Sequence, residues 1–391
     1  MAKYFCGIDI SKYKHDCCLM NAADQTIVAK LTFKNDKKGF DEFLTLLNSF
    51  SRPEDIRIGF ESTAHYALNL KLFLENANHS FMEVNPFLIK EYKRSTSLRK
   101  TKTDSLDCET IARWLMTVEY KPHQKGFYHA YSLKSLTRLR DKLVRQRSFY
   151  LIKLTNVLDH TFPEFKPFFN NTFSVTALYL LENYGTAEKM ARMNSTSYEK
   201  LRKISRGRFS PQKFLELKTL ATETVGENNS IFDTELSTLL SLYKTLKEEI
   251  ESVEAKIIQI IESIHPHYLS VPGIGPISAA VIYAEYGDIS SFSSPAKMFA
   301  FAGIEPGISE SGTESHGGHM VKRGSSQLRY TIINCCLPLI QYDMTFAAYY
   351  AKKRSEGKPH KVALTHVAKK LIRVIYALEK QDVDYNPVKL R

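Results

Sequence analysis

Four carboxylates carry the first hint of chemistry. Asp9 stands inside the apolar run YFCGIDI and Glu61 closes DIRIGFE, whereas Asp104 and Asp107 open the segment DSLDCETIARWLMTV. An ionised carboxylate in an apolar strand is costly unless something compensates it. Two acids three residues apart on a helix share one face. Taken singly, each has a plain structural reading: a helix cap for Asp104, a solvated first-turn acid for Asp107, a strand-end residue for Glu61. Brought to one point, four carboxylates suit Mg²⁺, which prefers oxygen ligands. Two such ions roughly 3.5–4 Å apart clamp a phosphodiester during displacement. Just upstream of the acid pair, Lys90, Lys93, Arg94, Arg99, Lys100 and Lys102 stand against Glu91 alone. That excess suits a phosphate backbone as substrate.

The elements that must position these acids are legible as changes of hydrophobic period. YFCGIDI, HDCCLMN and TIVAKLTF read as strands, KKGFDEFLTLLNSF as a helix, DIRIGFE as a strand, YALNLKLFLENAN as a helix, SFMEV as a strand, and DSLDCETIARWLMTV as a closing helix. This order predicts an α/β, ribonuclease H-like domain over 1–125, a mixed sheet covered by helices. In that arrangement the first and fourth strands end side by side, and the last helix crosses them, gathering all four acids.

Beyond it, a basic helical region is expected over 126–230. Its long first helix sets an apolar leucine stripe against cations that include Arg138 and Arg145, both candidate nucleic-acid contacts. The basic stretch LRKISRGR within this region suggests no chemistry of its own. Over 231–265, Leu236, Leu239, Tyr243, Leu246, Ile250, Val253, Ile257, Ile260 and Ile264 alternate steps of three and four, a heptad seam that predicts a coiled-coil helix. Its partner can be the same chain, as in an intramolecular bundle, or a second copy, and self-association is the expectation. A mainly helical domain is expected over 266–380, with a tail over 381–391. Gly273 and Gly275 in VPGIGPISAA form a hairpin resembling helix-hairpin-helix elements, whose backbone N–H groups can meet a phosphate. A glycine- and serine-rich loop, GIEPGISESGTESHGGH, precedes Lys322, Arg323 and Arg329, cations suited to phosphoryl stabilisation.

Composition narrows the classes. The 391 residues are 43% hydrophobic and 25% charged, values of a globular chain rather than a disordered one. Lys+Arg 54 against Asp+Glu 42 leaves +12, which favours a polyanionic partner. No run reaches the roughly 18 apolar residues of a membrane span, and the opening MAKYFCGIDIS lacks a signal-peptide pattern. A cytoplasmic, nucleoid-associated protein with no membrane partner is expected. Six cysteines without a CxxC read as buried thiols. A sugar or acetate kinase shares the GIDI-type opening strand but needs later phosphate loops, where this chain has the heptad helix.

The motifs GIDISK, FESTAHY and KTKTDSLDCETIA, followed by VPGIGPISAA, FAFAGIEPGISESG, VKRGSSQLR and KVALTHVAKKLIRVIYAL, resemble the insertion-sequence-110 family of transposases, in order and over nearly the whole chain. The resemblance implies a RuvC-like DEDD domain with Asp9, Glu61, Asp104 and Asp107 as metal ligands. It also implies a C-terminal domain whose Ser311 is the nucleophile that forms a covalent phosphoserine. Bridge-RNA guidance and element-end and target DNA are implied with it, and the heptad seam adds the expectation of a homo-oligomer, dimer or tetramer. Two departures stand out: Glu310 precedes Ser311 where the family often has a second serine, leaving Ser309 as a weaker nucleophile, and Ser325 stands where it often has Asn. Two other functions fit the residues: a RuvC-like nuclease using metal-activated water, with Ser311 incidental, and a non-catalytic nucleic-acid scaffold.

Overall fold

The alternation of apolar and polar residues in the first sixty positions builds a sheet with two differently used faces. The computed structural model describes residues 2–61, 66–96, 104–123, 127–227, 230–311 and 314–390. The chain divides into two compact units, Met1–Tyr128 and His129–Arg391.

In the first unit β1 (Tyr4–Ile10), β2 (Lys14–Asn21), β3 (Ile27–Lys34), α1 (Lys37–Phe50), β4 (Ile56–Glu61), α2 (Leu68–Asn76), β5 (Phe81–Val84), α3 (Pro86–Thr96) and α4 (Asp104–Thr117) follow in turn. The sheet order is β3-β2-β1-β4-β5, antiparallel for β1 with β2 and β2 with β3, parallel for β1 with β4 and β4 with β5. This is the expected mixed sheet. Helix α3 is an addition, formed where the pattern of residues shows only a basic stretch. On one face Cys6, Ile8, Ile10, Ile58 and Phe60 pack with Phe40, Phe43 and Leu47 of α1 and Leu70 and Leu74 of α2. Asp36 starts α1 by accepting the Gly39 amide at 2.8 Å. The other face receives α4: Phe5 meets Ile111, Trp114 and Leu115, and Cys18 and Met20 meet Cys108 and Ala112.

The second unit is organised by two 35-residue helices, α5 (Phe127–Thr161), whose first turn straddles the unit boundary, and α11 (Ser230–Ile264). Between them lie α6 (Phe165–Phe168), α7 (Val175–Asn183), α8 (Ala187–Ala191), α9 (Ser195–Ile204) and α10 (Pro211–Thr222). After α11 come α12 (Pro276–Tyr286), α13 (Pro295–Ala302), β6 (Glu305–Ser311), β7 (Glu314–Val321), α14 (Ser326–Tyr342), α15 (Met344–Ser355) and α16 (His360–Gln381). The heptad seam finds its partner inside the chain. Leu133, Leu136 and Leu143 of α5 share a core with Val253, Ile257 and Ile261 of α11, while Leu154, Val157 and Leu158 share another with Leu236 and Leu240. Early α5 thus meets late α11, an antiparallel pair, and Arg140 bridges it through Glu254. Leu240 and Ile261 widen the stripe beyond the strict seam, the pattern of a helix packed in a globular core.

The glycine- and serine-rich segment expected as a loop is instead an antiparallel hairpin, β6 with β7. All six cysteines are buried free thiols. Among the described residues no helix is long and apolar enough to cross a membrane.

Candidate active site

Two strands and one helix carry three of the expected acids, Asp9, Glu61 and Asp107, within the described residues. Strand alternation places Asp9 on the face of Phe5 and Gly7, the side that α4 covers. The parallel register pairs Gly7 with Gly59 and Ile8 with Phe60, so Asp9 and Glu61 come next along neighbouring strands, on the same face. Glycine is what lets α4 lie there. A Cβ on Gly7 would meet the Cys108 carbonyl oxygen at 2.1 Å and the Ala112 nitrogen at 2.5 Å, and a Cβ on Gly59 would meet Leu115 Cδ1 at 2.6 Å. The backbone of Cys108, directly after Asp107, therefore rests on the strand residue two before Asp9. Asp9 and Glu61 thus stand at the C-terminal ends of two neighbouring interior strands, on the face that α4 covers.

Asp107 is one-fifth exposed and engages Lys93 of α3, which is one-third exposed. Lys93 thus acts on an acid of the site, whereas Arg94 pairs with Glu91 and Lys90 is exposed. The carboxylate of Asp104, the side chains of Ser309 and Ser311, and all of Arg99, Lys100 and Lys102 lie outside the described residues. Among the described residues no three His, Cys, Asp or Glu side chains already converge as a metal-binding group. The donor set itself, carboxylate oxygens without thiol or imidazole, matches a hard divalent cation.

The structure adds participants that the motifs did not reveal. Asp16 of β2 lies directly across from Asp9. Like charges opposite one another are unfavourable, and here the Thr32 hydroxyl donates to Asp16 while Lys14 lies 3.4 Å away. Glu109, two residues after Asp107, is held by Lys30 at 3.6 Å and Arg113 at 3.0 Å. Gly7 and Gly59 were readable in principle, since glycine inside a strand marks a close backbone approach. Beside them, Cys108 and Cys18 share a hydrogen bond that pushes the Cys108 thiol up and draws the Cys18 thiol down.

In the second unit Ser311 ends β6, paired in register with Glu314 of β7, and Ser309 pairs with His316. Both serines therefore belong to the end of the hairpin. Lys322 and Arg323 follow it, exposed. Arg329 plays a structural part, since its guanidinium donates to the Ala302 carbonyl at 3.1 Å and closes the end of α13 beside the left-handed Gly303. Ser325 accepts the Leu328 amide and caps α14, so the residue that departs from the family's Asn still performs a cap.

Arg138 and Lys134 meet Glu285, which is 4% exposed, at 3.1 and 3.2 Å. Arg145 pairs with Asp141 one turn earlier on its own helix. Gly273, with φ +92°, fits against Cys335, Pro338 and Leu339 of α14, where a Cβ would come within 3.0 Å. Its conformation serves helix packing. Gly275 begins α12 with open space around it.

Two family models match: a transposase model of the IS110 DEDD type over residues 6–163, and a model described as transposase IS116/IS110/IS902 family over 267–351. Together they take in more than half of the chain. The chain is 26% identical over 211 residues to the 43.6 kDa protein of insertion element IS110 of Streptomyces coelicolor, covering 53% of this chain and 52% of that one. It is 23% identical to the 42 kDa protein of insertion element IS900 of Mycobacterium paratuberculosis, covering 97% and 96%. Identity and coverage are the same for the 44.8 kDa protein of insertion element IS116 of Streptomyces clavuligerus. Matched in both its acid-bearing unit and its hairpin-bearing unit, the chain belongs to the IS110 family of transposases.

Proposed function

We propose that this transposase cuts and rejoins DNA with a serine nucleophile and a Mg²⁺-binding acid group in a ribonuclease H-like domain. The observation that carries the reading is the placing of Asp9 and Glu61 at the ends of adjacent strands in matching register, with Asp107 on a helix seated against the same face through Gly7. Asp9, Glu61, Asp104 and Asp107 would hold two Mg²⁺ ions, which supply charge stabilisation at a phosphodiester. Lys93 tempers the negative charge on Asp107, and its place on the basic helix α3 allows a phosphate backbone to draw it away.

Ser311 is the proposed nucleophile. Its Oγ forms a bond to phosphorus, the bond to the leaving deoxyribose oxygen breaks, the serine hydroxyl loses its proton and the leaving oxygen gains one. A DNA hydroxyl then displaces the serine, and the strand is rejoined. By family resemblance the partners are element-end and target DNA and a bridge RNA that guides pairing; further copies of the chain, as a dimer or tetramer, would meet through a surface other than the α5–α11 seam. The same reading has it working in the cytoplasm on nucleoid DNA.

Labelled element-end DNA, cognate RNA and Mg²⁺, resolved on a denaturing gel, test this. A covalent protein–DNA band that Ser311→Ala removes is the expected result. Cleavage with no such band establishes the metal-activated-water nuclease instead, and binding without cleavage a scaffold. Asp9→Ala, Glu61→Ala, Asp104→Ala and Asp107→Ala should each abolish cleavage while leaving nucleic-acid binding nearly unchanged, because phosphate contacts by Lys and Arg dominate affinity.

A further inference from the structure

A second basic stretch, flanked by Glu199 and Glu216, contains none of the residues used above. From Lys200 to Leu215 there are six cations, Lys200, Arg202, Lys203, Arg206, Arg208 and Lys213, and no acid. All six are exposed. They occupy the end of α9, the start of α10 and the tight turn between them.

Some cations of this unit are paired, among them Arg192 with Glu188 and Arg145 with Asp141, both one turn away on their own helices. Among the described residues, none of the six forms an ion pair. A solvated helix end explains part of this, since cations at a helix C-terminus are favoured by its dipole. That accounts for Arg202 and Lys203, in the last turn of α9. It does not account for Arg206 and Arg208, which lie beyond the helix.

The turn is held in a fixed shape. Leu201 is fully buried on one side of it and Phe209 is 4% exposed on the other, against Phe168 and Phe169. Arg206 and Gly207 are both left-handed, at φ 54° and 79°. Such a conformation is unfavourable for a side-chain-bearing residue, yet an arginine occupies the first position. The Arg206, Gly207 and Arg208 amides bond to the carbonyls of Lys203, Arg202 and Ser205, so the backbone is satisfied and the free recognition groups are the side chains. Phe209 is restrained as well, its amide donating to the Ser205 hydroxyl at 3.0 Å, and Ser210 caps α10.

We propose that this turn is a binding site for the phosphate backbone of a nucleic acid, with Arg202, Lys203, Arg206 and Arg208 as its contacts. A prominence that displays four unneutralised cations from an ordered turn suits a polyanion with regular charge spacing. The inference goes beyond the proposed serine mechanism and does not depend on it, since the turn carries none of the acids or serines of that reading.

The test uses the full-length protein with all four residues changed to Ala. Binding to a fluorescent DNA duplex and to a structured RNA of equal length is measured from 50 to 200 mM salt. Each phosphate contact contributes about −0.9 to the log–log salt slope for duplex DNA. The variant should lose two to four such contacts on at least one of the two polymers, with affinity down about tenfold or more at low salt. A loss on RNA alone, on DNA alone or on both supports the site and identifies which backbone occupies it. A control that removes the same type of charge from matched pairs, Arg192→Ala with Lys353→Ala, should leave the slope nearly intact. Unchanged slopes for the four-residue variant, or an equal drop in the control, overturn the proposal. Circular dichroism establishes that the variant is folded, and Arg206→Gly, which keeps the left-handed turn, separates charge from backbone. It should lower the slope by about one contact.

Discussion

Histidines of the two units are shifted by their surroundings in two directions: burial lowers three of the first and also His366 of the second, whereas His267 of the second is raised. In the first, His15 and His79 are buried and His123 is half-buried, and loss of water pushes each below its ordinary pKa. His15 stacks among Phe33 and Phe40. In the second, His267 lies between Asp384, at 2.9 Å from Nδ1, and Asp382, at 2.8 Å from Nε2, and these hydrogen bonds raise it. The difference shows how one residue type can be a wedge in an apolar core or a charged clasp between α16's end and the segment before α12. It also predicts that acid weakens one unit while favouring a contact in the other. Trp114, the single tryptophan, lies in the first unit's core and reports that unit alone.

The largest contrast should come from steric tests. Gly7→Val places a branched side chain against the α4 backbone, where a Cβ already meets Cys108 O at 2.1 Å. A cost of about 3 kcal/mol or more is expected, read as an early loss of the Trp114 signal on heating. The helical signal of the second unit should melt as before. An unshifted Trp114 transition would show that α4 does not rest on β1.

In the second unit, Ile257→Ala removes a fully buried side chain from the α5–α11 pair. A loss of about 2–5 kcal/mol is expected, seen by circular dichroism with Trp114 unmoved. If the variant keeps full stability but falls to a smaller species in light scattering, the seam joins two chains instead.

The effect of pH comes next in size. Above about pH 6.5 the three histidines of the first unit are neutral folded or unfolded, and their contribution is intact. As pH falls through that value, the unfolded chain binds protons that the folded unit resists, so stability drops. His267 has the reverse sign: its contribution is full below about 6.5 and fades as pH rises through its raised value. Denaturant melts at pH 5 and pH 7.5 should show the Trp114 transition moving to lower denaturant in acid. A transition unchanged between the two would mean these histidines titrate normally.

The smallest effect separates the two hairpin glycines. Gly273→Ala, at φ +92° against α14, should cost about 1–2 kcal/mol. Gly275→Ala, in open space with an extended backbone, should cost well under that. Equal melting shifts would contradict the packing role assigned to Gly273.

These contrasts also mark what could be read from residues alone. The order of strands and helices in the first unit was legible because each element keeps its own period, and the alternation of YFCGIDI already put Asp9 opposite the Cys6–Ile8–Ile10 face. The closeness of α4 was not legible, because it depends on Gly7 and Gly59 being neighbours across strands, a non-local fact. The seam of α11 was legible as a stripe. Its partner was not, since a leucine stripe on α5 and one on a second copy look alike in sequence. The hairpin β6–β7 was hidden by its composition: GIEPGISESGTESHGGH has the glycine and serine of a loop, and its pairing becomes apparent only when Glu305 finds Val321. Arg138 shows a further limit, because a cation's buried partner, Glu285, stands far along the chain.

The antiparallel pair of α5 and α11 has a consequence for how the gene can change. Each helix runs 35 residues, about 50 Å, and carries a separate core near either end. Because both cores read the same helix, they are locked in phase. One residue inserted between Tyr243 and Ile250 would turn one end of α11 by about 100° and advance it about 1.5 Å relative to the other. Leu236 and Ile257 could then not both face α5. Length changes in this stretch are thus tolerable only in steps near seven residues, or when matched by a compensating change in α5. The pair behaves as a ruler with a fixed pitch, and drift in its length is far more constrained than drift in its surface residues.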